Sequence, residues 1–156
     1  MSEHKKTITS ISWHPSNPDI LASSGADLHV FIWQISQQRS IAILSAGLKE
    51  IPTCIGWSYH DSTCLGIVSS RGPLQVWNYA EKHSPAVVKD SQNFSACITM
   101  FRWHPKSHGM VVFGHQDGSI SVLVIGELPV ASFYCFKIEI QDNAVSVSVR
   151  ELVGRL

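Results

Sequence analysis

Residues 8–35 read ITSISWHPSNPDILASSGADLHVFIWQI. A short alternating segment ends at Trp13, a turn of proline and asparagine follows, and an apolar run starts at Ile20. A polar turn at Gly25-Ala26-Asp27 then leads into a segment that closes on Trp33. Apolar positions every second residue, bounded by turn formers, predict β-strands rather than helix. The strands expected are Thr7–Trp13, Ile20–Ser23 and Val30–Gln34, with Ser40–Leu44 as a fourth. Pro15 stops the first of them, because proline has no N–H to give a ladder.

The phrase returns twice. Trp57 precedes Trp77, and Trp103 precedes Leu123, by the same 20 residues that part Trp13 from Trp33; the copies start 44 and 46 residues apart. A repeat of about 40–45 residues with four short strands is the period of a propeller blade. The second copy predicts strands at Thr53–Trp57, Thr63–Ser69, Leu74–Tyr79 and Pro85–Val88. The third runs from Ala96 to Ile125 and holds an Asp117-Gly118 hairpin cue. After Gly126 the fixed interval is lost, and alternation on both sides of Gln141-Asp142-Asn143 predicts one more hairpin. The expected architecture is all-β: three four-stranded antiparallel blades within 1–126 (about 3–46, 47–92 and 93–126), and a divergent 127–156 tail with a hairpin.

Composition narrows the function. Twelve basic and twelve acidic residues cancel among 156, whereas a nucleic-acid binder carries a basic excess or stripe. Charged residues are only 15% of the chain, against about a quarter in an ordinary domain, so little charge is available to keep apolar surface in solution. Cys54, Cys64, Cys97 and Cys135 lie singly in apolar runs, the pattern of reduced buried thiols rather than of a disulfide framework or zinc site. No apolar run approaches the roughly 18 residues of a membrane helix, and the first ten residues hold no apolar signal core. An intracellular, cytoplasmic protein with no nucleic-acid or membrane partner is expected.

With the copies aligned, the chain resembles the WD-repeat (WD40) β-propeller family over about residues 3–125. That resemblance implies a polar tetrad pinning each blade: a His in the entering loop, a Ser or Thr on the second strand, an Asp in the next turn and a Trp on the third strand. The first copy matches with His4, Ser23, Asp27 and Trp33. Such groups can satisfy one another beneath packed side chains. The second copy has Leu48, Ile67 and Arg71 with Trp77 kept; the third has Phe94, Phe113 and Leu123 with Asp117 kept. Those two blades are expected to hold by apolar packing. Trp13, Trp57, Trp77, Trp103 and Asp117 are assigned to blade packing.

His4, Ser23 and Asp27 are also the residue types of a hydrolytic triad, so a small β-rich hydrolase or ligand-binding domain is the alternative. A nucleophilic serine needs an exposed perch and an oxyanion hole, while Ser23 falls inside a strand without a glycine-rich elbow. His104-x3-His108 has a metal-like spacing, but Pro105 and Gly109 place it in a loop with no Cys or acidic partner nearby. No cofactor is expected. The family resemblance implies a non-catalytic protein–protein interaction scaffold, part of or an alternatively ended form of a larger propeller protein. Contacts are expected from the loops 46–51, 70–73, 90–95 and 115–118, with Lys49, Arg71 and His115 as candidate contact residues. Three blades leave two faces bare, so self-association through them is a further expectation.

Overall fold

The computed structural model describes residues 2–44, 48–79, 86–88, 94, 96–125, 133–141 and 144–152, with 86–88 and everything after 125 described as backbone alone. Among these residues there is no helix. The first sheet holds β1 (Ile8–Trp13), β2 (Ile20–Gly25), β3 (Val30–Gln34) and β4 (Arg39–Leu44) in chain order. The second holds β5 (Pro52–Trp57), β6 (Cys64–Ser69), β7 (Leu74–Asn78) and β8 (Ala86–Val88). In the third, β9 (Ile98–Trp103), β10 (Met110–His115) and β11 (Ile120–Ile125) continue into β12 (Phe133–Gln141) and β13 (Ala144–Leu152). All pairs are antiparallel, and each turn joins neighbouring strands. The fold is therefore a partial propeller of WD40 type, and its C-terminal hairpin continues the third blade's sheet instead of standing apart.

Register decides which side chains meet, since neighbours on a strand point to opposite faces. In the first blade Ser12, Ala22, Ile32 and Ala42 share one face and Ile11, Ser23, Phe31 and Ile43 the other. Ala22, Val30, Ile32 and Leu44 pack against Ile55, Trp57, Leu65, Ile67 and Trp77 of the second blade. The second blade's opposite face, with Cys54, Val68, Leu74 and Val76, packs against Phe101, Trp103, Val111, Phe113 and Leu123 of the third. Burying side chains of this size stabilises by roughly 1.5–3 kcal/mol each.

The fit is close where small residues receive large ones. A Cβ on Gly66 would lie 2.8 Å from the Phe101 ring, and one on Gly56 3.3 Å from it. The indole N–H of Trp103 donates to the Gly56 carbonyl at 2.9 Å, and that of Trp57 donates to the Ser12 carbonyl at 3.2 Å. Gly56 and Ser12 each directly precede the tryptophan of their own blade, so successive blades lock by one repeated hydrogen bond.

Two packing assignments meet different surroundings. Trp57, Trp77 and Trp103 are buried, but Trp13 is 58% exposed. It projects from the outer face of the first blade, where no described blade receives it. Asp117 packs against nothing in the core; its carboxylate caps the exposed turn by accepting the Ser119 N–H at 3.0 Å and hydroxyl at 2.7 Å.

Candidate functional site

In the first blade the four polar residues converge. Trp33 donates its indole N–H to Ser23 Oγ at 2.7 Å, and His4 Nε2 lies 2.7 Å from the same oxygen. His4 Nδ1 lies 3.1 Å from both Asp27 oxygens. With one proton on the imidazole, a single direction satisfies every group: Ser23 O–H donates to Nε2, and Nδ1–H donates to Asp27. Gly25 makes the space, because a Cβ there would lie 2.5 Å from His4 Nδ1 and 2.7 Å from Asp27 Oδ1. Burial pushes the Asp27 carboxyl up, but the Lys5 amide at 2.8 Å, the His4 bond and the His29 amide outweigh it and hold the group below the ordinary carboxylate value.

This constellation has the bonding of a Ser-His-Asp triad, yet Ser23 is 3% exposed and its oxygen already accepts the Trp33 N–H. It is not among the residues that line the groove above the turn. The carboxylate instead fixes a turn: Leu28 N–H donates to the Gly25 carbonyl and Gly25 N–H to the His29 carbonyl, each at 3.1 Å. Leu28 closes that turn at φ 63°, a left-handed conformation that is a genuine outlier for a bulky side chain.

Above the turn lies an open groove of about 580 Å³, lined by Lys6, Asp27, Leu28, Lys49, Glu50, Ile51 and others. Four chain segments build it: the entry to β1, the β2–β3 turn, the link into β5 with the start of that strand, and the β6–β7 turn at Ser70. Ile51 is 48% exposed, so the groove offers apolar side chains between two lysines and Glu50. Lys49 is on its wall. Arg71 is exposed at the adjoining turn, where it hydrogen-bonds Cys97 of the third blade and lies near Glu50; both hold its charged form more firmly. His115 differs. It is 7% exposed and its Nε2 lies 2.9 Å from Ser121 Oγ, so it sits inside the blade and offers no contact surface. Of the expected contact loops, residues 46–47, 90–93 and 95 lie outside the described residues.

The His115–Ser121 pair also revises the expectation that the third blade holds by apolar packing alone. Trp77 of the second blade, by contrast, is buried with its indole N–H unpaired, since Ile67 stands where Ser23 stands in the first.

A second polar device was not singled out in the sequence. The residue after each repeat's first tryptophan caps the following turn: His14 Nδ1 accepts the Asn17 N–H at 3.0 Å, Ser58 Oγ accepts the Asp61 N–H at 3.2 Å, and His104 Nδ1 accepts the Ser107 N–H at 2.8 Å. Trp-His-Pro, written twice, was the available signal. His14 does more. It is buried, packs on Trp57 at 4.8 Å between ring centroids and hydrogen-bonds the Ser62 backbone, so it fastens the first blade to the second. The other half of the noted spacing, His108, stacks on His60 at 3.9 Å, and among the described residues no three His, Cys, Asp or Glu gather as a metal set.

No family model matches the chain. It is 28% identical to Dictyostelium discoideum protein transport protein SEC31 over 129 residues, which is 80% of this chain and 9% of that protein. To human GATOR2 complex protein WDR59 it is 29% identical over 119 residues, 74% of this chain and 12% of that one. To chicken GATOR2 complex protein WDR24 it is 21% identical over 134 residues, 86% of this chain and 19% of that one. These relatives are WD-repeat proteins. The chain spans less than a fifth of the length of each of the three. No helix among the described residues is long and apolar enough to cross a membrane.

Proposed function

We infer that this chain is a non-catalytic protein-interaction module, and that the groove between the first and second blades is its contact site. One observation carries the reading: the only Ser-His-Asp constellation among the described residues is closed and spent on holding a turn, and that turn presents Leu28 to the groove. The relatives support it, being named for protein transport and for membership of a complex. By that likeness the chain is a subunit of an intracellular, cytoplasmic protein assembly. His4, Ser23, Asp27 and Trp33 serve as its structural tetrad, and Lys49 and Arg71 as charged groups flanking an apolar centre at Leu28 and Ile51. Interfaces favour this arrangement of apolar core and polar rim.

The run from His4 to Gly118, including Arg71-Gly72-Pro73-Leu74 and Met100-Phe101-Arg102-Trp103-His104, is similar to WD repeat-containing protein 17. We read the chain as a form or segment of such a larger propeller protein, with the likeness fading after about Ser121.

Affinity capture from cells with the intact chain, with Ile51→Asp and with Lys49→Glu tests the contact site. Partners retained by the intact chain are expected to fall by roughly tenfold or more with Ile51→Asp. Equal recovery from all three would remove the groove from consideration. Hydrolytic turnover that disappears with Ser23→Ala in a still-folded chain would favour the enzyme alternative.

A further inference from the structure

The outer edges of the three sheets end differently. In the first, β4 is shielded: its pairing with β3 shifts register between Ile32 and Trp33, and the Glu3 carboxylate accepts the Ser40 N–H at 3.2 Å. In the second, β8 spans only Ala86–Val88. Irregular pairing, charged caps and shortness are ordinary ways of blunting a strand edge. The third sheet has none of them. Its edge strand β13 is nine residues long and, among the described residues, has β12 as its one neighbour. The two pair from Gln141↔Ala144 to Phe133↔Leu152 without a register shift. From Ala144 to Val149 the sequence AVSVSV holds no charge and no proline. Alternation places Val145, Val147 and Val149 on one face and Ser146 and Ser148 on the other.

We propose that β13 pairs antiparallel with β13 of a second copy of this chain about a two-fold axis at Val147, joining two five-stranded sheets edge to edge. The unpaired N–H and C=O groups of the edge supply the adhesion. A two-fold contact must be complementary to itself, and this stretch is. Val145 falls opposite the partner's Val149, Ser146 opposite the partner's Ser148, and Val147 opposite the partner's Val147. Charge selects this register over its neighbours. Lys137 is in register with Ser148, and Glu139 with Ser146. The row across the joint therefore reads Lys137, Ser148, the partner's Ser146 and the partner's Glu139, and the symmetric row repeats it. Its ends stand about 14 Å apart at three strand spacings, a span that an extended lysine and glutamate together can cross. An axis at Ser146 would align Glu139 with the partner's Glu139, and one at Ser148 would align Lys137 with the partner's Lys137; like charges across a sheet repel. The apolar rows agree: Ile120, Ile140 and Val145 run on into the partner's Val149, Phe136 and Val124. An isologous joint closes on itself, so the assembly stops at two chains. The joint uses neither the groove nor the exposed face at Trp13, so each can fail without the other.

Sedimentation equilibrium on the full chain is the test. The unmodified protein is expected to form a dimer in the micromolar range and to grow no further. Val147→Lys, which sets like charges opposite each other on the axis, is expected to weaken the dimer by roughly tenfold or more. Lys137→Glu and Glu139→Lys are each expected to weaken self-association by about twofold or more. An equimolar mixture of those two variants is expected to restore it, because the mixed pair has opposite charges in both rows. Restoration on mixing cannot come from a change within either chain, and circular dichroism establishes that each variant is folded. A protein that stays monomeric, or grows beyond a dimer, would overturn the proposal. So would association that survives Val147→Lys or is lost with Trp13→Ala, and so would a mixture that associates no better than its components.

Discussion

The first and third blades solve one packing problem with the same kinds of group in exchanged places. In the first, an imidazole from the entering loop (His4) fills the space over Gly25, lies edge-on to Phe31 at 4.6 Å and bonds Ser23, which faces Phe31 across the strand pair. In the third, the imidazole comes from the strand itself (His115), a phenyl ring (Phe94) takes the loop position 4.8 Å away, and serine and phenylalanine change strands as Ser121 and Phe113. The turns are superposable in their bonds: Gly118 N–H to the His115 carbonyl and His115 N–H to the Ser119 carbonyl repeat those of Leu28 and Gly25. These two blades fill the closed volume with one imidazole, one hydroxyl and one phenyl ring each, in a different order of residues. In the third blade Leu123 stands in place of the tryptophan, so no indole N–H faces Phe113 on the second strand.

The sharpest way to break this comparison is at the glycine. Gly25→Val is expected to expel His4, adding overpacking to the loss of buried hydrogen bonds, for about 3–5 kcal/mol. Gly114→Ala, at a half-buried point of the third blade where the nearest atom is the flexible Met100 side chain's Cγ at 3.2 Å, is expected to cost under about 1 kcal/mol. Urea unfolding midpoints separate the two, and similar costs would show that the space over Gly25 is not specifically used.

Next in size is the indole. Trp33→Phe and Trp77→Phe remove the same bulk from corresponding strands, but only Trp33 has a partner for its N–H. Trp33→Phe is expected to cost about 1–2 kcal/mol more, because Ser23 loses a donor, whereas the second blade loses an unpaired group. Equal losses in the same unfolding assay would mean that the hydroxyl contributes nothing. Ile67→Thr extends the comparison: it offers Trp77 an acceptor and is expected to be milder than Ile67→Ala.

Most of this fold was legible in the sequence. Strand positions came from period-two alternation, and several boundaries agree to the residue, as at Val30–Gln34. The first blade's four polar groups were named because their spacing is the one the family motif uses. What escaped detection depends on pairing across strands. Matching positions one at a time reports Phe94 and Phe113 as losses, and only the register shows that His115 and Ser121 restore the pair. His14's bond to Ser62 and Arg71's to Cys97 cross between blades, and no pattern within one repeat can announce them. The groove has four separate segments for walls, and the exposure of Trp13 leaves no mark in a repeat whose other copies bury that tryptophan.

Acid should sharpen the contrast between polar and apolar blade contacts. Burial is the main cause that holds the His14 imidazole below its ordinary value of 6.5, against the Ser62 bond that raises it. A folded-state value below the unfolded one gives stability that is complete above about pH 6.5 and is lost as pH falls through the folded value. Protonation would also deprive the Asn17 and Ser16 amides of their acceptor. Asp27 has the same sign in a lower window, its contribution disappearing as pH drops below 3.8 and through its depressed value. Unfolding midpoints between pH 7 and 5 are expected to decline in the parent and to flatten in His14→Gln. An unchanged slope in that variant would place the pH dependence elsewhere.

The smallest effect is the most informative about function. The first and third blades build one turn with Leu28 at φ 63° and Gly118 at φ 85°. Holding a leucine in the left-handed region costs on the order of 1 kcal/mol that a glycine does not incur. Leu28→Gly is therefore expected to stabilise the protein slightly, by about 0.5–1 kcal/mol, the reverse of what removing an apolar side chain normally does. The same change strips the groove of one apolar wall, so capture of partners should weaken while the unfolding midpoint rises. Strain kept at a binding surface produces that opposition of signs. If stability and capture instead fall together, Leu28 is an ordinary packing residue and the turn beneath the groove owes its shape to the fold alone.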